Sequence, residues 1–414
     1  MIPLLIFCLL QYFSGYTSTS AAQIPVSLEK AYQALLQKNL DLKTGQLKTN
    51  YQNQLANSYR FIDPLSISAE AGQINSAYFD NRITVSQTLR LPKYYNAQKK
   101  FLEAERNHAV LNLDFQKWQV LQEVALLYNQ LGYLDEKEKL LQKTDSIYDR
   151  YYSRAVLRVK AGESNILEKT TAENYRSQAE LALKSVRKER EIALSQFNFL
   201  IKGAEVYKNE PGNFYNLNLE MPVTEGESSA WFLRQADQQI LIENARLEAE
   251  KAKLLPVLSA GVNSTTMRGM GADDKLYNGT HRFFSGLIGV TLPVFNNAQK
   301  SVIEAQKINQ QIAENNYELT KRQLQRQYAQ KYGEYQKLKS ETDYYRETGL
   351  KNAEKILFTA NLLLREGEMN YLEYSLLVNQ AFEIKTKYLE AQKLLNDKII
   401  ELNFWQNPAT NIKL

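Results

Sequence analysis

Cysteine occurs once, as Cys8, inside the apolar run Ile2–Leu10. A chain beginning after that run has no thiol, which excludes disulfides and thiolate metal sites. Histidine occurs twice, as His108 and His281, with no His, Cys or paired-carboxylate neighbour at ligand spacing. No Walker A, GxGxxG or GxSxG pattern is present. Paired carboxylates such as Glu136 and Glu138 stand among lysines, as on a solvated helix face. The expectation is therefore a protein that is not an enzyme, with no catalytic residue, no resident metal and no cofactor. Proline is scarce across the long middle stretches, where helix formers dominate.

Charge of one sign is also missing. The 51 basic and 46 acidic residues are interspersed and leave a formal charge of +5, so no nucleic-acid stripe forms. Mean hydropathy is −0.46, yet there are 26 tyrosines, a profile of long, largely solvated helices. The run Ile2–Leu10 is shorter than the roughly 20 residues of a membrane-crossing helix. Ser20 and Ala22 fit the small-x-small cleavage rule, so residues 1–22 read as a secretory leader cut before Gln23. Bulky Phe7 before Cys8 argues against lipid attachment there.

What is present is written twice. Leu91–Lys99 reads LPKYYNAQK and Leu292–Lys300 reads LPVFNNAQK. Glu103-Ala104 is echoed by Glu304-Ala305, AGESNILE at Ala161–Glu168 by EGEMNYLE at Glu366–Glu373, and Pro64–Gly72 by Pro256–Gly261. Landmarks in the same order imply a tandem duplication, with units far longer than solenoid repeats of roughly 20–50 residues. The first repeat is taken as 23–203, the linker as 204–228, the second repeat as 229–405 and the tail as 406–414.

Each repeat reads as helix, two strands, a very long helix, a glycine turn and a returning helix. Ser27 is an N-cap for a helix over Val26–Leu40, and helical pattern continues from Asp41 to about Phe61. Period-two alternation marks strands at about 64–73 and 82–91, with Leu65, Ile67, Ala69, Ala71, Ile83, Val85, Leu89 and Leu91 on apolar faces. The helix from Asn96 to Lys160 carries a four-three seam at Val120, Val124, Leu127, Leu131 and Leu134. Gly162 interrupts it, and helix resumes over Asn165–Leu200. In the second repeat a helix runs over Ser229–Leu254. Strands follow at about 257–266 and 283–293, with Met267–Arg282 as a loop that includes the sequon Asn278-Gly279-Thr280. Asn297–Arg365 is a long helix with seam residues Leu324, Tyr328, Tyr335 and Leu338. Gly367 breaks it, and a last helix reaches about Asn403.

Four short alternating strands cannot close a barrel alone. Their moderately apolar faces suit a transmembrane barrel, whose strands span about 9–11 residues. No edge stays open in lipid, so an oligomer is implied, and three copies would supply twelve strands. Glu70, Thr84, Ser86, Thr88 and Arg90 would then line the lumen. Tyr94, Tyr95 and Phe295 would sit at the membrane interface.

The strand–Pro–NAQK–long-helix unit, duplicated with glycine-centred hairpins, resembles the TolC-like outer-membrane efflux channel family. Phe283–Gln306, FFSGLIGVTLPVFNNAQKSVIEAQ, is most similar to outer-membrane partners of heavy-metal efflux pumps of the resistance-nodulation-division type. The resemblance implies an α+β membrane protein in the cell outer membrane. It would be a homotrimer with one shared 12-stranded barrel, continued by a periplasmic α-helical coiled-coil tunnel. It further implies a periplasmic membrane-fusion adaptor and an inner-membrane pump as partners. The strand-to-helix junctions are Pro92, Asn96, Pro293 and Asn297. The adaptor-docking tip maps onto Gly162, Glu163, Asn165, Leu167 and Glu168, and onto Gly367, Glu368, Asn370, Leu372 and Glu373. The acidic residue six positions after each glycine reads equally as helix capping or as an adaptor or gating contact. Where some members place a Tyr, an Arg and a ring Asp, this chain has Leu364, Met369 and Leu376. The tip gate is therefore expected to rest on apolar packing of Leu364 and Met369, with charges such as Arg365, Glu366 and Glu368. The function implied is a passive exit duct, with heavy-metal ions as cargo. Ducts for drugs or for type I protein secretion, and a periplasmic coiled-coil scaffold without a pore, are the competing readings.

Overall fold

The computed structural model describes residues 24–201, 206–212, 214, 216–219 and 230–406. The expected leader with Cys8, most of the 213–229 stretch and the tail after residue 406 lie outside them. The chain divides into two compact units. One comprises Met1–Leu40, Lys117–Pro222 and Ala329–Leu414, the other Asp41–Gln116 and Val223–Tyr328.

In chain order the elements are β1 (Ile24–Val26), α1 (Leu28–Lys38), α2 (Leu40–Ala56), β2 (Ser66–Gly72), β3 (Asp80–Arg90), α3 (Pro92–Lys160), α4 (Ile166–Ile201) and β4 (Tyr207–Asn209). They continue with α5 (Ala230–Ala252), β5 (Val257–Met270), β6 (Leu276–Thr291), α6 (Asn297–Tyr344), α7 (Leu350–Glu366) and α8 (Tyr371–Gln406). A π-helical segment, Tyr345–Gly349, joins α6 to α7 and interrupts the helix expected to run unbroken over Asn297–Arg365.

The first unit is helical. Ser27 caps α1 as expected, its Oγ accepting from Lys30 N at 3.4 Å. Val26, expected to begin that helix, instead ends β1, which pairs in parallel with β4. The stretch taken as a linker thus contains a strand, which three residues without alternation could not announce. On the α3 seam Val124, Leu131 and Leu134 are fully buried, and they share this unit with the buried Phe197, Ile201, Ile399 and Leu402. Trp118 fixes α3 to the end of α8, Nε1 donating to Phe404 O at 2.8 Å. α3 is 69 residues long and proline appears only as its first residue, where the missing N–H costs nothing.

The second unit holds a four-stranded antiparallel sheet in the order β2-β3-β5-β6. Its register follows the period-two pattern. Ile67 faces Val85, Val85 faces Val262 and Val262 faces Gly286, all on one side of the sheet. On the other side Ser68, Thr84, Asn263 and Ser285 form a polar row. β5 and β6 run further than alternation indicated, correcting the loop reading of Met267–Arg282. The pairing continues through Arg268↔Asn278 to Met270↔Leu276 after an irregularity at Thr266/Arg268, so the loop shrinks to five residues and the sequon lies in a strand. Backbone pairing can extend a hairpin without an apolar face, which is why composition misled there. Buried packing in this unit includes Gln238, whose Nε2 donates to Ala104 O at 2.9 Å, and Gln306, whose Nε2 reaches Glu243.

Candidate functional site

Two helix reversals in the helical unit carry the residues expected at the tip. Each is built on a glycine in the left-handed region, Gly162 at φ 75° and Gly367 at φ 77°. At the first, Gly162 N donates to Val159 O at 3.2 Å and Glu163 N to Arg158 O at 2.9 Å. At the second, Gly367 N donates to Leu364 O at 3.3 Å and Glu368 N to Leu363 O at 2.9 Å. This is one helix-ending motif made twice, closing the orphan carbonyls of the departing helix. Each returning helix is capped by an asparagine. Asn165 Oδ1 accepts from Glu168 N at 3.0 Å, and Asn370 Oδ1 from Glu373 N at 2.9 Å.

The two acidic residues then part ways. Glu373 is exposed, and its Oε2 accepts from Asn370 N at 3.4 Å, a reciprocal capping box. Glu168 is buried and pairs with Arg158 Nη1 at 3.2 Å, while Ser164 Oγ donates to its other oxygen. Arg158 also donates from Nη2 to Glu163 O at 3.3 Å and lies 4.9 Å over the Tyr371 ring. Tyr371 in turn stacks on Tyr151, with centroids 5.6 Å apart and planes at 5°. Arg158 and Tyr371 therefore join the two reversals. Neither was among the expected site residues. The second repeat has Leu363 where alignment of the turns would put an arginine, so comparison of the two copies hides this contact. The available signal was a basic residue in the last turn of a long helix.

Under the reversals lies a cluster of Tyr148, Tyr151, Ala155, Ala172, Ala179, Ala360, Tyr374, Val378 and Phe382, and Leu364 and Met369 pack against it. Small alanines let the four helices approach, and the tyrosine rings fill the remaining space. Burial and then the nearby Glu168 charge push the Tyr151 hydroxyl up to about 12. Burial also raises Tyr148 and Tyr374. Arg365, Glu366 and Glu368 stay exposed, as do Leu167 and Leu376, whereas Leu372 is half-buried.

In the strand unit, the expected lumen residues share one sheet face. Glu70 stands opposite Arg82 and meets its Nη1 at 3.1 Å. Ser68 faces Thr84, Ser66 faces Ser86 and Ser259 faces Thr88. Arg90 reaches Asp63 at 3.7 Å and lies 4.5 Å over Tyr94. The two junctions differ despite their shared motif. Pro92 opens α3 and Asn96 lies inside it, whereas Pro293 precedes α6 and Asn297 begins it. Phe295 is fully exposed. His108 meets Asn112 at 3.5 Å on α3, and His281 packs edge-on against Phe283. Among the described residues, no group of three or more His, Cys, Asp or Glu could hold a metal ion. Among the described residues, too, no helix is long and apolar enough to cross a membrane.

Comparison with known proteins bears on both units. Residues 229–403 match the family model described as outer membrane efflux protein. No curated protein sequence matches the chain. Among solved structures, CusC superposes with a TM-score of 0.76 at 16% identity, covering 93% of each chain. The open-state MtrE outer-membrane channel of Neisseria gonorrhoeae gives 0.75 at 16%, covering 92% of this chain and 91% of that one. The CmeC outer-membrane channel of Campylobacter jejuni gives 0.72 at 15%, covering 92% and 85%. The resemblance to outer-membrane efflux proteins is thus borne out, by sequence pattern over the second half and by fold over nearly the whole chain.

Proposed function

From the premise that this chain has the outer-membrane efflux fold, we propose that it is the outer-membrane duct of a tripartite efflux system. The observation that carries the reading is the β2-β3-β5-β6 sheet, whose edge strands β2 and β6 are each paired on one side only among the described residues. One sheet face is apolar and open to the surroundings: Phe284, Ile288 and Val290 on β6 are exposed, Ile288 at 87%, as is Leu292 just after the strand. Water would penalise such a face, but lipid favours it. Lipid in turn forbids the two open edges. Pairing β2 of one copy with β6 of the next resolves both, and three copies make the even count of twelve that a closed barrel needs. The opposite face, with its Glu70–Arg82 pair and its Ser and Thr rows, then borders water.

The helical unit supplies the periplasmic tunnel, and its two reversals supply the tip that meets a periplasmic adaptor. The adaptor hands over substrate from an inner-membrane pump, which supplies the energy, and the duct itself performs no chemistry. Heavy-metal ions are the cargo we assign, on the resemblance carried by Phe283–Gln306.

The test has two parts. Cysteine substituted at Ile67 in β2 is paired in turn with cysteine at Gly286 and at Ile288 in β6, in cells. Trimer-length crosslinks that need detergent for extraction, with conductance in planar bilayers, are expected. Release as a soluble, uncrosslinked species would replace the duct with the coiled-coil scaffold. A deletion strain is then challenged with copper, silver, zinc, cobalt and nickel, and separately with dyes, detergents and antibiotics. Sensitivity to metals alone is expected. Sensitivity to organic toxicants alone would move the duct to drug efflux, and no change in either would direct attention to secreted proteins.

A further inference from the structure

A groove of about 430 Å³ opens between α3 and the α7–α8 reversal, wholly within the helical unit. Three arginines line it: Arg150 and Arg154 from α3, and Arg365 from the last turn of α7. Tyr371, Tyr374 and Asn361 complete its polar wall. No carboxylate lines it. The arrangement contrasts with other arginines of the helical surface that meet carboxylates at short range, as in Arg187–Glu138 at 2.8 Å and Arg176–Asp149 at 2.9 Å.

Arg150, Arg154 and Arg158 follow each other at four-residue spacing, so they form one cationic stripe on α3. Like charges at that spacing repel and weaken a helix by a few tenths of a kcal/mol per pair in general. Among the described residues, only the last of them is compensated by ion pairs, to Glu168 and Glu163. Arg150 donates from Nε to its own helix at Ser146 O, 3.1 Å, which anchors the guanidinium and leaves its two Nη groups for another acceptor. Arg154 and Arg365 make no ion pair among the described residues. Tyr374 donates to Asn361 Oδ1 at 2.9 Å, fixing the wall between the arginines. The charges of Arg150 and Arg154 are felt at that hydroxyl, where they oppose the effect of burial.

We propose that this groove is a binding site for a multivalent oxyanion of the phosphate class. The planar guanidinium fork presents several N–H donors to tetrahedral oxygens, and convergence of three such forks suits an anion carrying more than one negative charge. Occupancy would neutralise the α3 stripe and bridge α3 to the α7–α8 reversal, holding together the two hairpins that Arg158 and Tyr371 already join. The inference stands on this groove alone and does not depend on which cargo the duct carries.

The experiment is calorimetric titration of the full-length detergent-solubilised protein with inorganic pyrophosphate at fixed chloride concentration. A saturable site, one per protomer, is expected. R150Q/R154Q should weaken it by about tenfold or more, equivalent to losing about 1.4 kcal/mol. R176Q, whose arginine pairs with Asp149 outside the groove, should leave it unchanged, and helicity of all variants is checked by circular dichroism. A parallel titration with dihexanoyl phosphatidic acid separates the sources. Competition with pyrophosphate would identify a lipid phosphate as an occupant, and its absence would identify a soluble one. No saturable binding, as when acidic residues of a neighbouring copy fill the groove, or binding equal in R150Q/R154Q, would overturn the site.

Discussion

Arg158 and Glu168 face each other across the reversal at Gly162, with Nη1 and Oε1 3.2 Å apart and the carboxylate largely buried. The pair ties the last turn of α3 to the first turn of α4, and through Tyr371 it reaches the second hairpin. Removing one partner leaves the other short of a charged partner in a partly buried setting, which costs about 1–3 kcal/mol. Arg158→Leu, which copies the Leu363 of the second reversal, should therefore speed amide exchange over residues 161–168 by tenfold or more. Glu168→Gln should do the same to a smaller degree, because the amide still accepts one bond. Glu373→Gln, at the exposed capping box, should change local exchange far less. Equal effects at Glu168 and Glu373 would mean that both act only as helix caps.

The two glycines can be tested apart from packing. A Cβ built on Gly162 or Gly367 meets nothing within 4 Å, so substitution there pays only in backbone strain. A non-glycine residue in the left-handed region costs about 1–2 kcal/mol. Gly162→Ala and Gly367→Ala should each lower stability by about that amount, and Gly→Asn by less, since asparagine tolerates this conformation. Thermal unfolding monitored by circular dichroism reads the difference. Alanine variants as stable as the parent would show that the reversals adopt another backbone in solution.

The sheet was legible because an apolar face repeats with period two, and a one-residue slip would turn that face over. Ile67 and Val85 were placed on the apolar faces of their strands from alternation, and the pairing aligns them with each other and with Val262. The ends of β5 and β6 were not legible, since Arg268 and Asn278 pair through backbone without any apolar pattern. The glycine turns were legible because few residues other than glycine enter the left-handed region. The contact between Arg158 and Glu168 was not, because it depends on how the chain returns after the turn rather than on spacing. The π-helical segment at Tyr345–Gly349 also escaped notice, as no proline marks it and its polar residues Arg346, Glu347 and Thr348 read as a solvated helix face. Duplication helped with element order and misled in detail: Glu168 and Glu373 occupy the same place in the motif and do different work.

Leu364 and Met369 make apolar contacts to the tyrosine–alanine cluster under the two reversals. If those contacts hold a resting tip closed, serine at both positions should loosen it, since each loses part of its buried surface at about 25 cal/mol per Å². Leu364→Ser with Met369→Ser should raise resting conductance in planar bilayers relative to the parent. Leu376→Ser, at an exposed position, is the matched control. Unchanged conductance in the double variant would remove apolar packing from the gating account.

Acid should act on the helical unit through two carboxylates of α8 in opposite senses. Glu401 Oε2 accepts from Lys331 Nζ at 2.5 Å and Lys398 Nζ at 2.9 Å. Burial alone would raise its pKa, but those bonds outweigh burial and hold the carboxyl below its ordinary value. A depressed carboxylate contributes stability that is present above its unfolded pKa and disappears as pH falls through the folded value. Asp397 is the reverse: burial raises it, against its bonds to Lys393 at 2.7 Å and Asn129 at 2.7 Å. Its ionisation is penalised once pH rises through the folded pKa. At neutral pH Glu401→Gln should therefore lower the unfolding temperature, while Asp397→Asn should leave it unchanged or raise it. The gap between the two variants should narrow as pH drops towards about 3, where both carboxyls bind protons. A gap that is constant from pH 7 to about 3 would show that shape and packing, not charge, set the contribution of this end of α8.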